Sequence, residues 1–495
     1  MFKSFKDTIK HSMIYGLGNI SSKLVGFLLL PLYTNYLTTS EYGILAILEI
    51  TTQIIVSVFS LNISTAMMRW SSEANNENEK KSIIFTSLCS AIVISLALFL
   101  ILTPFNSNLS TLFFDTDKFS TYFSLLFIAS SLGIYNLIPL TILRLREKSS
   151  FFAGLTTANF TLTLLLNFYF IAYKNMGVEG ILLSQVIGQS FILVFSLPIV
   201  VNNIILKFKA SILLEMISYG LPLVFSTIFT LAFTMSDRFI IKHIQGEASV
   251  GVYSLGHKIA SVMNMLILQS FQLGFLPLAY KKLGDPDEKR FFSKTLTYYT
   301  LVLSIVALLI SLFSKELIEF LAVNKDYWIA YSVVPIIAFA FVIKGIQYIF
   351  SLNFHYSKKT SYNALVSVIS AIINISLNII FVQHFGFVGA AYAMLISLFI
   401  MMLLSYYWGQ KVYPIPFELL KVFKIVLIAF FLFSISLLTN QYELIYRIGL
   451  KVMLVLIFFL TIYKISIFNK YEMDSLKQGV IDFKNLFFKK NKSEL

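Results

Sequence analysis

Residues Asn19–Tyr33 read NISSKLVGFLLLPLY, and the lysine among them decides how the chain is read. The apolar residues around it extend a run long enough to cross hydrocarbon, which takes about 20 residues for roughly 30 Å. An ammonium at mid-bilayer costs about 2.5–3.5 kcal/mol on insertion scales. Lys23 lies 13 residues after Lys10, about 20 Å along a helix, beyond the few ångströms that a lysine side chain snorkels. It must therefore face a polar interior.

Similar runs recur to the end of the chain. Of 495 residues, 57% are hydrophobic and 13% charged, against about 25% charged in soluble domains. Hydropathy predicts 14 spans, at 11–36, 42–67, 82–103, 120–143, 151–173, 178–201, 213–235, 249–278, 294–314, 328–352, 362–383, 387–409, 418–438 and 443–465. None alternates apolar with polar residues as a barrel strand would. The expected fold class is an all-α polytopic membrane protein.

The net charge of +14 does not point to nucleic acid, because the basic residues sit in loops, where they set topology. On the predicted spans, 28 of the 39 lysines and arginines fall on the side of the N-terminus and 8 on the other. Both termini are expected to be cytoplasmic. Lys23, Lys258 and Lys344 are the three that topology leaves over. The single cysteine, Cys89, allows neither a disulfide nor a cysteine-based metal site, and no metal or organic cofactor is expected. The basic opening MFKSFKDTIKH is followed by no small-residue cleavage site, so it reads as a retained first helix.

The loops are short. The longest polar connection, Tyr280–Ser293, has no room for a catalytic domain, and no phosphate loop, zinc motif or nucleophile elbow is present. The chain does not read as an enzyme. In the tail, Met473, Leu476, Val480, Phe483 and Phe487 recur at helical spacing among lysines, predicting a basic amphipathic helix on anionic membrane lipid.

An internal repeat organises the spans. Ser40–Ser57 (SEYGILAILEITTQIIVS) parallels Ala248–Met265 (ASVGVYSLGHKIASVMNM), with Gly43 over Gly251. Upstream, MIYGLG at Met13–Gly18 parallels MISYGLP at Met216–Pro222. Parallel repeats related by an axis along the membrane normal are a transporter plan. The expected organisation is a six-helix bundle over 1–210, a second over 211–410, two extra helices over 411–466 and the tail over 467–495.

Polar stripes predict where the spans meet water. Tyr15, Asn19, Ser22, Lys23 and Gly26 share one face of span 1; Glu49, Thr52, Gln53, Ser57 and Ser60 form a stripe on span 2. Lys258, Ser261, Met265 and Gln269 form a third on span 8. Lipid would penalise all of these groups, so they are expected to line one hydrated cavity. Two readings of Lys23 stay open, a substrate contact and an ion pair with Glu49. Lys344 sits nearer the end of its span, where snorkelling also explains it. His257 neighbours Lys258 but points about 100° away on a helix, and the other histidines fall at span ends.

The quoted segments carry a resemblance. Ser12–Ile47, Thr65–Glu73 (TAMMRWSSE) and Met235–Ala260 (MSDRFIIKHIQGEASVGVYSLGHKIA) resemble the bacterial polysaccharide flippases. These are the O-antigen, Wzx-type translocases of the multidrug/oligosaccharidyl-lipid/polysaccharide (MOP) exporter superfamily. The resemblance implies a fold like the MATE antiporters, two pseudo-symmetric six-helix bundles around a cationic cavity. It implies a cargo, an undecaprenyl-diphosphate-linked oligosaccharide moved from the inner to the outer leaflet by alternating access. Polymerases and glycosyltransferases of the same pathway are implied partners. It adds Arg69 and Arg238 to Lys23 as substrate-binding basic residues, while Asn19, Lys258 and Lys344 rest on depth and stripe. H⁺ or Na⁺ coupling stays open, with Glu49 and Asp237 as the candidate carboxylates. A multidrug antiporter and a lipid II flippase are the rival readings, and a polysaccharide polymerase or ligase a more distant one.

Overall fold

A computed structural model describes residues 27–357 and 359–464. Among them every regular element is helical, and 13 helices are long and apolar enough to cross a membrane. The span expected at 11–36 lies mostly outside the described residues, as does the tail. The described end of that span is α1 (Leu30–Tyr36), with Pro31 in its first turn, where a missing N–H is harmless.

The other spans stand close to where hydropathy puts them. Helix α2 (Thr39–Phe59) starts on a capping box: Thr38 Oγ1 accepts from the Glu41 N–H at 3.2 Å, and Glu41 accepts from the Thr38 N–H at 2.8 Å. Leu61 and Asn62 at positive φ break it from α3 (Ile63–Glu73). There follow α4 (Glu77–Leu102), the short α5 (Asn106–Phe114), α6 (Ser120–Leu145), α7 (Ser149–Phe168) and α8 (Gly177–Asn202). Apolar faces of α3, α4, α6, α8 and the next helix meet in a core that includes Met67, Ile84, Ile142, Val200 and Met216.

Helix α9 runs 36 residues, Ala210–Gln245, ten beyond the end expected at 235. Asp237 and Arg238 depress the hydropathy that marked the boundary. In the structure they neutralise each other, and the helix carries both while buried. Arg238 is therefore no loop residue. Gly246, at φ +83°, turns the chain at once into α10 (Glu247–Met263). A π-helical turn at Asn264–Leu268 leads into α11 (Gln269–Lys282). The remaining helices are α12 (Glu288–Leu312), α13 (Ser314–Leu321), α14 (Val334–Tyr356), α15 (Thr360–Phe385), α16 (Phe387–Val412), α17 (Leu419–Ser436) and α18 (Leu444–Lys464).

These helices group into two compact units. The first takes the described residues up to Tyr280 together with Ser314–Pro414. Within it the repeat-related glycines meet. A Cβ on Gly43 would lie 1.9 Å from Glu247 O and 3.0 Å from Gly251 N, and one on Gly251 would lie 2.0 Å from Thr39 O and 3.0 Å from Gly43 N. The contacts are reciprocal, each glycine meeting the carbonyl four residues before the other. That is how two copies of one motif cross at a two-fold axis.

The second unit takes Lys281–Phe313 and the described residues from Ile415. Its α12 packs against α17. Arg447 and Lys451, which the charge count assigns to the outer side although the expected span 443–465 includes them, are buried in its α18. Glu418, just ahead of α17, bonds Lys294 Nζ and Lys421 Nζ, each at 3.0 Å, and accepts from Thr297 Oγ1 at 2.9 Å. Burial pushes its carboxyl up, and the bonds from Lys421, Lys294 and Thr297 outweigh that and hold it below the ordinary value. A lowered carboxyl contributes stability above its unfolded value, about pH 4.3, that is lost as pH falls through the folded value. Thermal melts below about pH 4 should therefore show the wild type losing its advantage over Glu418→Gln. An advantage independent of pH would contradict this.

Candidate functional site

Six helices of the first unit line a cavity of about 260 Å³. Helix α2 presents Tyr42, Glu49 and Gln53, spaced by seven and four residues and so on one face. Helix α9 presents Thr234, Asp237 and Arg238; α10 presents Ser254, His257, Lys258 and Ser261; α14 presents Phe341 and Lys344. Asn374 of α15 and Met394 and Leu398 of α16 complete the wall. Hydropathy alone would bury all of these helices in lipid, and the polar residues are tolerated because they share this space.

Each cation is held differently. Arg238 is 8% exposed and Asp237 6%. Arg238 Nη1 donates to Asp237 Oδ1 at 2.8 Å, to Oδ2 at 2.9 Å and to Thr234 O at 3.2 Å. The buried Tyr253 donates its hydroxyl to Asp237 Oδ2 at 2.5 Å, and its ring lies 5.1 Å from the guanidinium. A charge-assisted network of this kind fixes a side chain in place.

Lys258 stands 5.9 Å from the ring centre of Tyr33 and 6.0 Å from that of Tyr42, a cation over two aromatic faces. Glu49 is within its electrostatic reach. The tyrosines are fixed in turn: Tyr33 Oη donates to Asn167 Oδ1 at 3.2 Å, and Tyr42 packs edge-on against Tyr327. Lys344 has an aromatic neighbour, Phe341 at 5.8 Å, and no carboxylate partner among the described residues. The described wall thus holds three basic side chains against two carboxylates, with the uncompensated charge at Lys344.

Of the residues expected from sequence, Glu49, Asp237, Arg238, Lys258 and Lys344 come together here. Lys23 and Asn19 lie outside the described residues. Arg69 does not join them. It sits at the exposed end of α3, 3.3 Å from Glu73 Oε1, with its guanidinium 5.4 Å from the ring of Trp70 and 5.0 Å from that of Tyr219.

His257, about 100° from Lys258 on α10, lines the same cavity, with its ring 6.2 Å from Phe341. The cavity wraps around α10, so adjacent residues both reach it. The stripe on span 8 continues through Asn264 rather than Met265 and Gln269. Asn264 lies seven residues after His257 and three after Ser261, on the same helical face, and a π-helical turn begins there. Asn374 was missed, although Ser367, Ser370, Asn374 and Asn378 form a stripe that the periodicity used for spans 1, 2 and 8 would have found. Among the described residues no group of three or more His, Cys, Asp or Glu is placed to hold a metal.

Comparison with known proteins follows the same lines. Residues 8–282, more than half of the chain, match the family described as polysaccharide biosynthesis protein, and residues 222–380 match the MatE family. Capsular polysaccharide biosynthesis protein CapF of Staphylococcus aureus is 23% identical over 216 residues, 43% of this chain and 52% of CapF. Lsg locus putative protein 1 of Haemophilus influenzae is 25% identical over 297 residues, 57% and 67% of the two chains. The match thus spans about half the length of the first relative and two thirds of the second.

Among solved structures, the lipid II flippase MurJ in an inward closed conformation superposes with a TM-score of 0.71 at 17% identity, over 92% of this chain and 100% of that one. A multidrug resistance MATE family transporter of the MOP superfamily, inward-facing, superposes at 0.61 and 15% identity, over 79% and 94%. At such identities the fold is what is shared. The chain belongs to the polysaccharide biosynthesis protein family, and its multi-pass helical fold is that of MurJ and of the MATE family transporters.

Proposed function

We propose that the protein flips an undecaprenyl-diphosphate-linked oligosaccharide from the inner to the outer leaflet of a bacterial cytoplasmic membrane. Both termini are then cytoplasmic, as the distribution of basic residues favours. The observation that carries this reading is the charge of the cavity wall. Three basic side chains converge there, two have a carboxylate in electrostatic reach, and Lys344 has none among the described residues. An uncompensated ammonium in low dielectric draws an anion, and lysine is an effective phosphate binder. The amides and hydroxyls of Gln53, Asn264, Asn374, Ser254 and Ser261 can replace water for sugar hydroxyls, each of which would cost several kcal/mol unsatisfied in lipid.

Glu49 makes no ion pair with a described residue and is the carboxylate we assign to H⁺ or Na⁺ coupling. Asp237 is committed to Arg238 and Tyr253. The match to the MatE family favours drug export as the second reading, although cationic drugs suit a carboxylate-rich cavity better than this one.

Lys344→Gln is expected to reduce surface glycan at least tenfold, about 1.4 kcal/mol or more of lost substrate stabilisation, with membrane insertion and expression unchanged. Deleting the gene should leave lipid-linked oligosaccharide accumulated on the inner leaflet. Normal surface glycan in Lys344→Gln removes the phosphate-contact reading. A deletion strain showing only drug sensitivity replaces the flippase with the antiporter.

A further inference from the structure

The cavity helices share one set of ends, the start of α2 before Tyr42, the end of α9 after Arg238 and the start of α10 before Ser254, and the ties at these ends are built twice. In the repeat offset of Gly43 and Gly251, 208 residues, Lys242 corresponds to Thr34 and Asp115 to a position two residues from Leu321. Lys242 Nζ bonds Asp115 Oδ2 at 2.7 Å, tying α9 to the loop after α5, and lies 3.7 Å from Glu247 Oε1. In the corresponding place Thr34 Oγ1 donates to Leu321 O at 3.0 Å, tying α1 to α13. Tyr327 reinforces that second tie, its hydroxyl reaching Leu37 O at 3.1 Å and Thr38 O at 2.8 Å. The Gly43–Gly251 crossing lies between the two.

The ties are alike in position and opposite in chemistry. Thr34 and Tyr327 are neutral and fully buried. The Asp115 side chain is 85% exposed and that of Lys242 14%. Ions reach an exposed pair and screen it, with a Debye length of about 30 Å at 0.01 M salt and about 3 Å at 1 M. They do not act on a buried neutral bond.

We propose that these ends form one mouth of the cavity held by two repeat-related clasps, and that the ionic clasp Asp115–Lys242–Glu247 is its salt-sensitive release while the neutral clasp Thr34–Leu321 with Tyr327 is a fixed hinge. Opening therefore begins on the α9 side. Calling this mouth the outer one rests on the orientation proposed above.

The test uses the full-length protein with Cys89→Ser and a reporter Gln53→Cys on the cavity face of α2, in spheroplasts, probed with a membrane-impermeant maleimide. Raising salt from about 0.02 M to about 0.5 M should speed labelling three- to fivefold in this parent. Asp115→Asn should label at the high-salt rate in both conditions. Tyr327→Phe should raise the baseline yet keep the salt response. The charge swap Asp115→Lys with Lys242→Asp should restore slow, salt-sensitive labelling, which shows that a loose fold is not the cause. A salt response that persists in Asp115→Asn, or that vanishes in Tyr327→Phe, overturns the proposal. Labelling only from the cytoplasmic face of inverted vesicles overturns it too, by reversing the orientation. Absence of oligosaccharide transport by the wild-type protein, with this labelling pattern intact in the reporter, would refute the function and leave the clasps standing.

Discussion

Asp237→Ala is expected to destabilise the protein by about 3–5 kcal/mol, the cost of leaving a buried charge without its partner. Arg238 is almost fully buried in α9, and Asp237 accepts two bonds from its Nη1. Without Asp237 the guanidinium keeps a backbone carbonyl and the Tyr253 ring, neither of which carries a formal charge. Removing both charges is far cheaper, since a buried ion pair often exchanges for apolar residues at little cost. A thermal melt in detergent should accordingly find Asp237→Ala strongly destabilised and Asp237→Ala with Arg238→Met close to wild type. Equal losses in the two would mean that Asp237 stabilises through Tyr253 rather than through Arg238.

The second large effect is expected at the glycine crossing. Gly43→Ala places a methyl 1.9 Å from the Glu247 carbonyl oxygen, and Gly251→Ala places one 2.0 Å from that of Thr39. Both obstacles are backbone, so the helices must part, and overpacking of this kind typically costs about 1–3 kcal/mol. The strain falls on the packed arrangement in which α2 and α10 touch, which the clasp proposal makes the closed state of the mouth. Either substitution should bias the cavity towards opening there and reduce glycan export severalfold in an inserted, expressed protein. Gly133→Ala is the control: its methyl would have one neighbour, Val56 Cγ2 at an ordinary 3.7 Å. Export in Gly43→Ala equal to that in Gly133→Ala would show that the crossing does not have to close.

The span pattern was legible because hydropathy is a property of whole helices, and a run such as Phe387–Val412 admits few other readings. The failures occur where a single interaction overrides the average. Asp237 and Arg238 read as a loop because each is costly alone, and hydropathy cannot register that they neutralise each other. The alignment of Gly43 with Gly251 was visible in sequence, but not that the two residues touch. That follows only from the axis relating the repeats. The polar face that begins on α10 runs on to Asn264 rather than Met265 because it includes His257, seven residues before Asn264, as well as Lys258. Arg69 was grouped with the cavity residues by resemblance, and its aromatic neighbours Trp70 and Tyr219 hold it at the end of α3 instead. Lys344, the residue that snorkelling explained as well as function did, turns out to have no carboxylate partner in the described wall.

The most direct measurement is transport by the purified protein in liposomes. A fluorescent undecaprenyl-diphosphate oligosaccharide is placed in one leaflet, and its arrival in the other is read by quenching. Protein-dependent translocation that falls at least tenfold in Lys344→Gln is the expected result. No translocation of that lipid, with exchange of a cationic drug for protons instead, would contradict the central claim.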